Sequence, residues 1–416
     1  MTALLVCWAA FPVLLALLAQ GCGTLVQRLA GRHLALGVRI PCGVALVIAV
    51  LDLATRTSAT ARLGVPAVLA LGALGLMLAP PWRWRLRPAA PALAAAGVVF
   101  AVYAAPVVLS GMATWTGYIK LDDTATWLAL VDRALTHGRT LAGLPPSSYR
   151  ATLSSYLTVG YPLGSFLPLG IGHTVLGEDD AWLVNPWMAF MAATLALALH
   201  RIAALSLGQP AGAAVPCTRR PDPADRTTTS SDEHSGRTGS GGNRMPLWVP
   251  AAIAALAAQP ALLYGYDLWG GIKEVAGALL IGAFAVAAPL ALSGERRLRA
   301  LIPGAVVVWA LISAQSPGGL VWIAPGVLVG GALWLFADGG VCARVRAHTR
   351  ARTRTRAHTA SFDHQPLAFD HQPLAFDRQT PPLAPGHGPA RESPTLTPPR
   401  PVPTEPRPRS LRPTAA

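Results

Sequence analysis

Lysine is nearly missing from this 416-residue chain: of 34 basic residues only Lys120 and Lys273 are lysines. Charge of either sign is scarce as well. At 13% charged residues, the chain falls well short of the roughly 25% carried by soluble domains, which excludes an ordinary soluble globular protein. Alternating strand patterns are absent, which excludes a β-barrel. The five cysteines, Cys7, Cys22, Cys42, Cys217 and Cys342, show no CxxC or Cys/His metal spacing. A structural zinc site is therefore not expected, and these residues read as small apolar packing groups. Leu18–Cys22 only faintly resembles a lipoprotein cleavage site, with Gln20 out of place and no basic residue before it, so the first segment reads as an uncleaved helix.

What is present is apolar length. Hydrophobic residues make up 52% of the chain, in runs near the roughly 20 residues that cross about 30 Å of hydrocarbon. The expected fold class is all-α, a polytopic transmembrane bundle of about nine helices. The segments run 3–20, 40–54, 63–79, 91–109, 181–205, 246–263, 275–292, 300–313 and 319–337. This gives helices one to five in residues 1–207, a Pro/Gly/Ser/Thr/Arg-rich linker at 208–245, helices six to nine in 246–338, and a tail at 339–416. The tail repeats Phe-Asp-His-Gln-Pro-Leu-Ala at 362–368 and 369–375. Proline in each copy excludes a coiled coil there. From Gly339 onward 12 Arg face five acidic residues, so much of the net charge of +14 lies in the tail. The charge bears on topology and anionic lipid rather than on nucleic acid.

Counting basic loops gives an N-terminus outside and a C-terminus inside, because loops 21–39, 80–90, 208–245 and 295–299 and the tail then share the cytoplasmic face. The expected location is the plasma membrane. Loops 110–181 and 264–274 fall on the outer face. Within the first, Thr124–His137 has the spacing of an amphipathic helix, with Trp127, Leu128, Val131 and Leu135 along one side. Leu157–Leu176 is apolar but interrupted by Gly and Pro, as in a re-entrant or surface-lying segment. Glu178–Asp180 reads as the acidic entry to helix five, and His173 as a loop histidine.

Two outer loops carry chemistry. Asp122 and Asp123 offer oxygen ligands for a divalent cation such as Mg or Mn, or a carboxylate general base; the plain alternative is a helix N-cap. Lys120 and Lys273 suit a phosphate, although Lys273–Glu274 is also an ordinary interfacial pair. Trp115, Tyr118, Tyr266 and Trp269 suit stacking on a sugar, and Gly270–Gly271 permits close backbone approach.

Asp122–Asp123 at the start of a structured outer loop, together with the Gly-Gly-Ile-Lys-Glu loop at 270–274, resembles the polytopic GT-C glycosyltransferases. Tyr118–Trp127 and Trp269–Glu274 resemble segments of actinobacterial membrane proteins of that general type. The resemblance covers about 100–337. It implies transfer from a polyprenyl-phosphate-linked sugar at the outer face, with Asp122 or Asp123 as base or metal ligand and Lys120 and Lys273 on the donor phosphate. Glu274, Tyr266 and Trp269 would complete the substrate contacts. The chain departs from the family pattern in placing its acidic loop after the fourth helix rather than the first, and in having no globular domain after the last. Two other readings stand beside it: a lipid or solute transporter (or flippase), and a truncated membrane protein without activity.

Overall fold

A computed structural model describes residues 2–79, 89–116, 121–208, 246–292 and 297–338, with side chains described throughout except at 121, 122, 292, 297 and 333–338. The linker and tail of the sequence reading therefore lie outside the described residues.

All regular structure among the described residues is helical. In chain order the helices are α1 (Thr2–Ala30), α2 (Leu36–Ala54), α3 (Gly64–Leu78), α4 (Ala90–Val108), α5 (Leu121–His137), α6 (Ser148–Leu157), α7 (Leu169–Leu176) and α8 (Asp180–Ser206). Then follow α9 (Trp248–Ala257), α10 (Ala261–Trp269), α11 (Ile272–Leu292), α12 (Ile302–Gln315) and α13 (Leu320–Asp338). Seven of these segments are long and apolar enough to cross a membrane, and α9 with α10 makes an eighth if that bent pair is one span. The protein is a multi-pass integral membrane protein. The expected ninth span corresponds to α13, whose described apolar part, Pro317–Ala332, is shorter than the others.

The sixth expected span is broken. Its two halves meet at 52°, because Pro260 begins α10 with an extended backbone (ψ 149°) and cannot donate a hydrogen bond back into α9. Leu157–Leu176 resolves into a turn followed by the two-turn α7. Phe166, Leu167, Leu169 and Ile171 of this stretch are buried, so it packs into the bundle and is too short a helix to cross it.

Long apolar helices gain little from one another by hydrophobicity alone in lipid, so close packing holds them together. Glycine makes that packing work. A Cβ at Gly21 would strike the backbone of Gly72, one at Gly43 the carbonyl of Ala19, and one at Gly23 the carbonyl of Arg39. The α1–α2 and α1–α3 seams thus run backbone against backbone. Helix α8 packs against α2, α4, α9 and α11, and it and α2 are the most enclosed spans. Exposed apolar side chains such as Val13, Met77, Val98 and Val321 mark the outward faces.

The helix ends gather at two poles. At one, Arg28 donates to the Leu78 carbonyl (3.0 Å) and Arg32 to the Leu290 carbonyl (2.8 Å), while Gly37 packs on Leu197 and Arg201. At the other lie residues 52–63, 109–116, 121–180, 258–274 and 313–319. Here Arg62 donates to the Thr136 carbonyl (3.1 Å) and the Gly164 amide to the Ser313 carbonyl (2.9 Å).

The second pole also carries five arginines, and each is held. Arg56 and Arg139 pair with Asp52. Arg62 reaches Thr136, Arg133 reaches the Thr140 and Ala142 carbonyls, and Arg150 the Leu144 carbonyl. Folded-in arginines of this kind are not the free loop charges that set orientation.

Asp52, which the sequence offers only as a helix-end residue, is 1% exposed and bonded through both oxygens, to Arg56 (2.9 Å) and to Arg139. Removing one member of a buried pair leaves the other charge stranded. Asp52→Ala should therefore destabilise the protein by about 3–5 kcal/mol, read as a drop in the thermal unfolding midpoint in detergent. Arg56→Ala, on the partner that is 48% exposed, should cost about 1 kcal/mol or less.

Candidate functional site

At the loop-rich pole, α5, the 158–168 turn and the α10–α11 junction enclose a cavity of about 160 Å³. The α10–α11 junction is built from glycine. Gly270 ends α10 in the left-handed region (φ 80°), the conformation glycine adopts without steric cost. A Cβ on Gly271 would sit 2.7 Å from the Tyr266 ring. The Gly271 amide donates to the Tyr266 carbonyl (2.7 Å). This tight reversal brings the first turn of α11, with Lys273 and Glu274, to the cavity beside Tyr266 and Trp269 of α10.

Across from them stands an aromatic wall. Trp127 of α5 stacks on Tyr161 at 4.8 Å and 7° and on Phe166 at 5.4 Å and 28°. Tyr156 meets both Trp127 and Tyr161 edge-on, at 5.1 and 5.2 Å. Face and edge contacts of this kind add to the burial of the rings and fix the Tyr161 plane. The Lys273 ammonium then lies over that ring, 4.7 Å from its centroid, within cation–π range, and 3.4 Å from the Tyr161 hydroxyl. The Lys273 carbonyl accepts from the Gln315 side chain of α12. The lysine is thus positioned at both its backbone and its head.

Gln315 is followed by a strained residue. Ser316 has φ 64° and ψ 178° and is the single non-glycine with positive φ among the described residues. That region of backbone space is essentially reserved for glycine, and a serine there costs on the order of 1–3 kcal/mol.

Of the residues singled out from the sequence, Asp123, Lys273, Glu274, Tyr266 and Trp269 line this one cavity. Lys120 and Tyr118 lie outside the described residues, as does the side chain of Asp122. Helix α5 starts at Leu121, so Asp122 and Asp123 are helical residues of its first turn and not the cap beyond it. Carboxylates there still face the positive end of the helix dipole. Trp115 packs on the apolar core and does not line the cavity; its indole nitrogen is buried without a hydrogen-bond partner. His173, expected in a loop, instead lies in the last turn of α7, where its Nδ1 is 3.0 Å from the Glu178 carbonyl oxygen. Asp179 caps α8 by accepting from the Ala181 amide (2.9 Å), as the acidic entry to that helix suggested.

Tyr161 and Phe166 were not legible as site residues, and Trp127 only as part of an apolar helix face. The one signal for them is aromatic residues within the Gly- and Pro-broken stretch after Leu157, a place where no soluble core would need them.

The cavity mixes an aromatic wall with one cation, two carboxylates and the N-terminal turn of a long helix. Such a set can stack a ring, hold hydroxyls and attract an anionic group. Among the described residues no cluster of three or more His, Cys, Asp or Glu could hold a metal. Asp123 and Glu274 do supply two carboxylates to one cavity, which fits Mg-type binding through one or two carboxylates plus substrate phosphate. Comparisons with protein-family models, curated proteins and solved structures return no match.

Burial raises the ionisation of the Tyr161 phenol above its ordinary range, reinforced by the negative charges of Glu274 and Asp123 and by Tyr156. Glu274→Gln removes one of these and should bring the phenol back toward the usual tyrosine range, read by ultraviolet titration against Tyr161→Phe. In the strained turn, Ser316→Gly should raise the unfolding midpoint by relieving a left-handed serine.

Proposed function

We propose that the protein is a glycosyltransferase that uses a polyprenyl-phosphate-linked sugar at the extracytoplasmic face of the plasma membrane. The observation that carries this reading is the convergence of Asp123, about 150 residues earlier in the chain, with Lys273 and Glu274 around one aromatic-walled cavity. The cavity lies at the pole where the apolar spans end, so a lipid-anchored donor can present its head group while its tail stays in the membrane.

Each residue type has a task. The faces left open by the Trp127–Tyr161–Phe166 stack and by Tyr266–Trp269 suit the apolar side of a sugar ring. Lys273, beside the first turn of α11, suits the donor phosphate. Asp123, with Asp122 next to it in the same turn, serves as general base on the acceptor hydroxyl, and Glu274 hydrogen-bonds sugar hydroxyls. A divalent cation, when bound, would lie against Asp123 and Glu274 and neutralise phosphate charge. Lys120 is assigned to the same phosphate by its place just before α5.

A general base contributes roughly 10²–10⁴-fold. The Asp122→Asn, Asp123→Asn double variant should therefore lose at least about 100-fold in turnover of lipid-linked sugar, while Lys273→Ala should raise the donor KM more than it lowers turnover. Undiminished transfer by the double variant would remove the catalytic role of the pair.

A second reading draws on one observation. The bent α9–α10 pair carries a fully buried carboxylate, Asp267, and broken helices with buried acids are the sites of ion-coupled transporters. Under that reading the same cavity is the outer mouth of a lipid or solute pathway, and purified protein in vesicles moves the lipid-linked sugar without cleaving it.

A further inference from the structure

Two carboxylates are buried among the described residues, Asp52 and Asp267, and their settings differ. Asp52 has two guanidinium partners. Asp267 is 0% exposed, and neither of its oxygens has a hydrogen-bond partner. Among the described residues no Lys or Arg forms an ion pair with it.

The groups that face Asp267 come from three helices. Asn185 of α8 is near enough to act on its charge, without reaching hydrogen-bond geometry. Its own carbonyl accepts from the Thr116 amide (3.2 Å) and its amide donates to the Thr116 hydroxyl (2.7 Å). Tyr103 of α4 and Tyr264 of α10 also feel the Asp267 charge. They meet edge-on at 5.5 Å, and the Tyr103 hydroxyl donates to the Ala258 carbonyl (3.1 Å). Lys273 and Glu274, on the next helix, line the cavity instead. Among the described residues, the groups that act on or feel the Asp267 charge are thus neutral amide and phenol side chains.

An ionised carboxylate in such a place forfeits its hydration with nothing in return, and the charge is neutralised by a proton or by a bound cation. A cation needs several oxygen ligands at once. The Asn185 side-chain oxygen already accepts from the Thr116 amide, and the Tyr103 hydroxyl is oriented by donating to the Ala258 carbonyl. A proton needs none of this.

Asp267 also sits on a short helix bounded by a break at each end. Helix α10 is nine residues long, set off from α9 by the 52° break at Pro260 and from α11 by Gly270–Gly271. The same short helix presents Tyr266 and Trp269 to the cavity. Whatever draws Asp267 out of its apolar seat moves that wall.

We propose that Asp267 is a proton-binding site, occupied in the conformation described, and that release of its proton to solvent displaces α10 and reshapes the cavity wall made by Tyr266 and Trp269. The second half rests on the cavity being the ligand site; the first half does not.

The test is infrared difference spectroscopy on the full-length protein in lipid nanodiscs, between mildly acidic and alkaline pH. The expected result is a carbonyl band of a protonated, weakly hydrogen-bonded carboxyl that disappears at alkaline pH, is missing in Asp267→Asn, and shifts in Asp267→Glu. Asp267→Glu keeps a carboxyl at the site, so the shift of the band in that variant assigns it even where Asp267→Asn folds poorly. A band indifferent to Asp267, or one abolished at constant pH by adding sodium or potassium, would overturn the proton site. For the coupling, the fluorescence component lost in Trp269→Phe should change with the same pH dependence as the band and stay flat in Asp267→Asn. A pH-invariant Trp269 signal beside an Asp267-dependent band would overturn the displacement alone. Failure of lipid-linked sugar to bind the cavity leaves the infrared band untouched, so the two readings fail separately.

Discussion

The buried carboxylate of Asp52 is the contact on which the rest of the loop-rich pole depends. It ends α2 inside the bundle and holds Arg139, which follows α5 directly. The Arg139 amide donates to the Thr55 carbonyl (3.1 Å) and Arg62 to Thr136, so the C-terminal end of α5 is tied to the turn after α2 at three points. Helix α5 carries Asp123 and Trp127 at its other end. Helix α5 is not among the segments long and apolar enough to span, so its contacts with the rest of the protein set its place. What fixes its angle is this ion pair and the packing of Leu135 against Gly170. A stranded charge at Asp52 would therefore be felt about three turns away, in the aromatic wall.

The opposite wall is fixed differently. Lys273 and Glu274 are set by the first turn of α11, and α11 is seated on α8 and α12. Gln315, at the end of α12 and followed by the strained Ser316, holds the Lys273 carbonyl from outside. Backbone strain kept next to a charged cavity residue suggests that the position of Lys273 matters more than the stability lost there. The two walls meet where Lys273 covers Tyr161. One wall belongs to a clamped surface helix and the other to a span, so ligand binding between them would bridge the loop layer to the bundle.

How much of this the sequence discloses follows from the range of the forces involved. Apolar runs report burial directly, so the helical class and seven of the spans could be read from length and composition; the broken sixth span was marked by Pro260 only in hindsight. Charges that stand out from their surroundings, such as Asp123 and the rare Lys273, pointed to the two loops that the cavity joins. Tyr161 and Phe166 carry no such contrast, because an aromatic residue in an apolar stretch looks the same whether it meets lipid, core or ligand. Asp52 and Asp267 show the same limit for carboxylates. One looked like a helix end and the other like a loop residue, and only tertiary packing reveals that one is doubly paired and the other stands without a partner.

The central claim is that residues near positions 123 and 274 share one cavity in the folded protein. It is tested most directly by cysteine pairing. Asp123→Cys and Glu274→Cys are introduced together into a Cys217→Ser, Cys342→Ser background, in which the remaining Cys7, Cys22 and Cys42 are buried, and treated with a short bifunctional thiol reagent in native membranes. The account predicts an intramolecular cross-link in the double variant alone, slowed by lipid-linked sugar. Labelling of each single cysteine without any cross-link in the pair would contradict it.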